Sequence, residues 1–148
     1  MGSDWMEELV LGHEELDRQH REMFELLAIA AGAAKAAGAE LEGAVARLAD
    51  AIVEHIAAEE AVMEETLFPE RARHKSAHDL FLADFHQLRD ELREKGPTGL
   101  VAQGLEVRIP EWLRFHIRVN DALLREHLAR KRPQPGDARQ RKTASRLS

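Results

Sequence analysis

His55 and Glu59 stand four residues apart, and so do His74 and His78. On an α-helix that spacing leaves two side chains about 40° apart around the axis and about 6 Å apart along it, so each pair can grip one centre. The chain has eight histidines in 148 residues, and no cysteine or tyrosine. Disulfides, thiolate metal sites, iron–sulfur clusters, CxxC redox motifs, cysteine nucleophiles and tyrosyl chemistry are thereby excluded. Metal or proton chemistry in this chain must use imidazole and carboxylate.

The segments that carry these residues have a helical apolar period, broken sparsely by Gly and Pro. A first helix is expected from Asp17 as N-cap, with the stripe Leu16, His20, Met23 with Phe24, Leu27, Ala30 with Ala31, and Ala34, ending near Gly38. The second reads Leu41, Val45, Leu48, Ile52, His55, Glu59, Val62, and Pro69 closes it. The third reads His74, His78, Phe81, Phe85, Leu88, Leu92 before Gly96 and Pro97. The fourth reads Leu105, Ile109, Trp112, His116, Val119, Leu123, with Pro110 as a kink or a first turn. Four such segments joined by short turns describe an all-α, up-down-up-down four-helix bundle. Residues 1–15 read as an N-terminal arm anchored by Trp5, residues 16–128 as the bundle, and residues 129–148 as a basic, disordered C-terminal tail.

Five histidines fall on the inward stripes: His20, His55, His74, His78 and His116, at least one from each helix. Buried imidazoles without partners are costly, and a metal resolves the cost by taking the ring lone pairs while the other ring N–H donates outward. An ionised Glu59 on an apolar stripe needs a cation, and a carboxylate can bridge two. Five imidazoles exceed what one open metal takes, so two metals sharing them is the simpler reading. Beyond His116, ideal geometry favours Asn120, since Asp121 is rotated about 140° away, whereas charge favours Asp121. Spacing leaves both open. His13, His86 and His127 read as surface or packing residues, the last favoured by its place near a helix end. Trp112 reads as core.

The segments Leu16-Asp17-Arg18-Gln19-His20, His55-Ile56-Ala57-Ala58-Glu59-Glu60 with Met63, His74-Lys75-Ser76-Ala77-His78 and Trp112-Leu113-Arg114-Phe115-His116 leading to Asp121 resemble, in order and separation, those of bacterial single-domain hemerythrins. The resemblance runs from Trp5 to about Leu128. Ferritin-type ExxH pairs and HExxH are absent. The resemblance implies two iron ions joined by an oxo or hydroxo bridge, with His74, His78 and His116 on one iron and His20 and His55 on the other. It selects Asp121 to bridge beside Glu59, which requires a local bend of the fourth helix or a long reach. It also implies that O2 binds reversibly at the open position of the two-histidine iron, in a dry pocket. Phe24, Leu27, Ile56, Leu113 and Ile117 are the expected wall, with no acid or base among them. Ile56 stands where the family often has Phe, a smaller side chain that should widen access to the iron and hasten autoxidation; His13 stands where an apolar residue is usual.

The expected function is therefore non-catalytic O2 binding for storage, transport or delivery; the alternatives are an O2 or redox sensor, and a diiron enzyme acting on peroxide or nitric oxide. The net charge of −6 divides unevenly, with seven basic groups and one acid in residues 129–148. An acidic body suits a cationic centre. The tail lacks interleaved aromatics and a fold of its own, so no nucleic-acid partner is expected; it reads first as a solvated tail, with a protein partner as the alternative. With no span of about 20 apolar residues and no signal peptide, the chain is expected to be cytoplasmic, without a membrane partner.

Overall fold

The computed structural model describes residues 10–36 and 38–131, which form helices, the turns between them and a short run, 10–13, that leads into the first helix. Trp5 and the tail from residue 132 lie outside the described residues. Helix α1 spans Glu14–Lys35, α2 Leu41–Glu65 and α3 Arg71–Lys95. The fourth, α4 (99–131), is one continuous rod of five stretches: α-helical Gly99–Gln103, π-helical Gly104–Arg108, α-helical Ile109–His116, π-helical Ile117–Asp121 and α-helical Ala122–Lys131. Connections of three to five residues force each helix to run against the one before, and α1 packs on α2, α2 on α3, α3 on α4 and α4 back on α1. This is the expected all-α bundle. Among the described residues no helix is long and apolar enough to cross a membrane.

α1 begins at Glu14, earlier than the expected Asp17 cap. The true N-cap is His13, whose ring Nδ1 accepts from the Leu16 N–H at 3.3 Å, and Glu14, Glu15 and Asp17 set negative charge against the helix start. Asp17 works from inside the first turn instead. Its carboxylate accepts from the Leu11 N–H at 2.7 Å and the Gly12 N–H at 3.1 Å, which folds the incoming chain over the bundle end.

Two features of α4 depart from a regular 3.6-residue period. Pro110 is neither a first turn nor a helix end, since the helix opens at Gly99, where the Thr98 hydroxyl accepts from the Val101 N–H. Proline has no N–H to give and its ring crowds the carbonyl four residues back; the π-helical turn just before it widens the coil there, with the Ile109 N–H bonded to Gly104 O. The second π-helical turn inserts one residue after His116. Beyond it the inward face moves on by one position: Ile117, Asp121 and Leu124 are buried, while Val119 and Leu123, expected inside, are 47% and 44% exposed. On α2 the last inward residue is likewise Met63 rather than Val62.

The apolar interior is in two parts. A large cluster includes Met23, Leu27, Leu48, Ile52, Phe81, Phe85, Leu105, Leu113 and Ile117. A smaller one at the other end holds Leu11, Leu16, Met63, Phe68 and Leu124. On every helix a polar residue stands between the two: His20 on α1, His55 and Glu59 on α2, His74 and His78 on α3, His116 and Asp121 on α4. The bundle therefore carries one buried polar layer between two oily ones.

Candidate metal centre

All seven residues of that layer are buried, with Glu59, Asp121 and His20 fully so. The five imidazoles turn Nε2 inward. His20 Nε2 and His55 Nε2 are 3.0 Å apart, and His74 Nε2 and His116 Nε2 3.1 Å apart. His78 Nε2 completes the second group, 3.0 Å from Glu59 Oε1. Two groups result, Glu59 with His74, His78 and His116, and Glu59 and Asp121 with His20 and His55; within each, the potential ligand atoms lie within 4.8 Å of one another.

The carboxylates join the two groups. Glu59 sets Oε1 against His74 at 2.5 Å and Oε2 against His55 at 3.2 Å. Asp121 sets Oδ1 against His74 at 3.0 Å and His116 at 3.1 Å, and Oδ2 against His20 at 3.3 Å. Each carboxylate thus serves both halves with different oxygens. Asp121 reaches the site because the π-helical turn Ile117–Asp121 brings residue i+5 onto the face of His116, a placement a regular α-helix forbids. Asn120 lies at the flank, its amide 2.9 Å from the outward Nδ1 of His116.

The outward ring nitrogens are held as well. His55 Nδ1 is 2.9 Å from Gln19 Oε1, and His78 Nδ1 is 3.0 Å from Glu60 Oε2. If His116 gives its Nε2 lone pair to a cation, Nδ1 carries the proton and the Asn120 amide must present its oxygen, a half-turn of a group whose O and N have the same shape. Trp112 stacks on His116 with centroids 4.8 Å apart and planes 10° apart, and its other neighbour is Phe81 at 4.1 Å. It is a partly buried clamp on a site imidazole rather than core alone.

The residues fit a pair of cations. Glu59 Oε2 and both oxygens of Asp121 are buried without a hydrogen-bond partner, which is expensive unless a positive charge lies beside them. Nitrogens bonded to a common cation at about 2.1 Å and a right angle would stand about 3.0 Å apart, the separation of both imidazole pairs. Without a metal, protons fill part of this role. Burial works against a charge on His74 and His116, yet Asp121 and Glu59 push both up to about 9. Burial likewise opposes ionisation of Glu59 and Asp121, and the surrounding imidazoles hold both below the usual carboxylate range.

Beside the cluster is an apolar cavity of about 10 Å³, lined by His55, His78 and His116 together with Met23, Ile52, Ile56, Phe81, Trp112 and Leu113. That is about the room of one water-sized molecule. Of the expected wall, Ile56 and Leu113 line it. Phe24 and Leu27 line a separate surface cleft of about 350 Å³ between α1 and α4, and Ile117 is buried in the large apolar cluster. Met23, Ile52 and Phe81 were legible as inward stripe positions, but only the packing shows that they meet at this cavity. The remaining histidines stand apart: His86 is exposed, His13 caps α1, and His127 is buried, its Nε2–H donating to Thr66 O at 2.8 Å with its ring 5.2 Å from Phe68.

Residues 11–128 match the family described as "Hemerythrin HHE cation binding domain". The chain is 32% identical over 142 residues to a bacteriohemerythrin of Ralstonia nicotianae, covering 95% of this chain and 96% of that protein. It is 30% identical over 122 residues to a bacteriohemerythrin of Pseudomonas paraeruginosa (80% and 76%), and 30% identical over 121 residues to a hemerythrin-like protein of Naegleria gruberi (80% and 87%). No solved structure gives a significant match. Four inward helix faces that assemble two carboxylate-linked histidine groups, and a sequence match running through all four, place this chain in the hemerythrin family.

Proposed function

We propose that this protein is a non-haem diiron O2-binding protein, holding O2 reversibly for storage, transport or delivery. His74, His78 and His116 would hold one iron and His20 and His55 the other, with Glu59 and Asp121 bridging. A ferrous pair, when bound, supplies the electrons that O2 takes up on binding and regains on release, with an oxo or hydroxo bridge between the irons. The observation that carries the reading is the unequal division of donors beside a small apolar cavity. Three imidazoles crowd one half and two the other, which supports an open position on the His20–His55 side; His55 of that half lines the cavity, together with His78 and His116 of the other.

The chain's own residues favour reversible binding over turnover. Met23, Ile52, Ile56, Phe81, Trp112 and Leu113 offer the cavity no acid or base to deliver protons, and a space of about 10 Å³ limits the water that can enter. Among the histidines facing the cavity, the outward N–H groups of His55 and His78 are tied to Gln19 and Glu60. Gas-uptake measurement on the reduced protein tests this: about one O2 should be taken up per chain and released under vacuum. Steady consumption of peroxide or nitric oxide, well above the rate of autoxidation, would replace the reading with an enzyme.

A further inference from the structure

The two histidine groups differ in what holds their outer nitrogens, a feature separate from the count of imidazoles. His78 Nδ1 meets a carboxylate, Glu60 Oε2 at 3.0 Å, on a side chain 29% exposed. His55 Nδ1 meets a neutral amide, Gln19 Oε1 at 2.9 Å, whose own Nε2 donates to Glu15 Oε1 at 3.0 Å. His116 Nδ1 also meets an amide, that of Asn120. Of these partners of His55, His78 and His116, Glu60 is the carboxylate, and it serves the half that already has three imidazoles.

A ring N–H that donates to a carboxylate gives up more of its proton's charge than one that donates to an amide, because an ionised acceptor makes the stronger bond. The opposite nitrogen then becomes the better electron donor to a cation. Glu60 also brings negative charge to within one side chain of the site, next along α2 from Glu59. We propose that Glu60 is a positioning residue that, through His78, makes the three-histidine half the tighter and first-filled cation site, whereas Gln19 on His55 leaves the other half the weaker one. This rests on the two-cation reading of the previous subsection, and it assigns to two residues outside the ligand set the order in which the halves fill.

Anaerobic calorimetric titration of the metal-free full chain with Co2+ tests it. Wild type should show two sites of different affinity. Glu60→Gln keeps the shape and an oxygen acceptor but removes the charge; the tighter site should weaken by about 10-fold, as loss of an outer partner does, and the weaker site should move by less than about 2-fold. The reverse change, Gln19→Glu made with Glu15→Gln so that its i,i+4 neighbour does not repel the new carboxylate, should tighten the weaker site by a comparable factor. A merely structural role could lower affinities but would not raise one. The reduction step of the three-histidine half should also move to higher potential in Glu60→Gln, and that of the other half to lower potential in the Gln19→Glu protein.

Unchanged affinities in Glu60→Gln, or an equal loss at both sites, would overturn the proposal. Should Glu60→Gln not fold, the Gln19→Glu protein decides alone, and no gain at the weaker site overturns it. Wild type binding fewer than two Co2+ would instead bring down the two-cation reading, whereas two Co2+ with affinities indifferent to Glu60 and Gln19 would bring down this inference only.

Discussion

Glu59 and Asp121 each set one oxygen on either side of the buried layer, and neither has enough hydrogen bonds to account for its burial. Glu59→Gln keeps the volume and removes the charge, so iron content measured after anaerobic loading should fall below two per chain, and affinity by more than about 10-fold. Retention of both irons would show that the carboxylate does not bridge. The protons on His74 and His116 supply a second test. In the metal-free chain both hold a proton up to about 9, against 6.5 for an ordinary histidine, so their pairing with the carboxylates stabilises fully below pH 6.5 and is lost as pH rises through 9. Glu59 and Asp121, held low, contribute fully above the ordinary carboxylate range, and that contribution is lost as pH falls from there through their lowered folded values. A metal must displace those histidine protons. Between pH 6.5 and 9 the melting temperature of the metal-free protein should therefore fall while Co2+ affinity rises; parallel slopes would contradict the assignment.

At the scale of the helices, what could be read from the sequence was whatever obeys a 3.6-residue period. The stripes of α1 and α3, of α2 as far as Glu59, and of the Ile109–His116 stretch of α4 lie where the spacing puts them, because apolar residues and histidines recur there at helical intervals. The period fails at Ile117–Asp121, so Val119 and Leu123 were misread as inward and the reach of Asp121 could not be settled by spacing. No single residue announces a π-helical turn; the signal was the conflict itself, a charge that needed the site and a geometry that denied it. The start of α1 was missed for a related reason, since Asp17 resembles a cap but accepts backbone N–H groups from within the first turn. Deleting Val119 tests the role of the inserted residue. It should restore a plain α-helix in which the aspartate stands four residues after His116, still facing inward, and the variant should keep its helicity and two metals by circular dichroism and metal analysis. Deleting Glu111 from the α-helical stretch instead rotates Pro110 and all before it by about 100° relative to His116 and should destabilise the bundle. Equal damage from both deletions would mean that the turn is not a one-residue insertion.

For the molecule as a whole, two apolar clusters hold the bundle and the polar layer interrupts them. Leu48, fully buried in the larger cluster, should lose about 2–5 kcal/mol on truncation to Ala, read from urea melts. A cation that binds only the folded chain adds to stability by mass action, so chelation should lower the melting temperature without changing the helical signal of the folded state. The division of charge, an acidic bundle and a basic segment from residue 129, suits a cationic interior. The most direct measurement is iron analysis with an optical spectrum recorded as reduced protein is exposed to O2 and then deoxygenated. Two irons per chain and a visible charge-transfer band that appears with O2 and vanishes without it are predicted; fewer than two irons, or a band that never reverses, would contradict a reversible diiron O2 site.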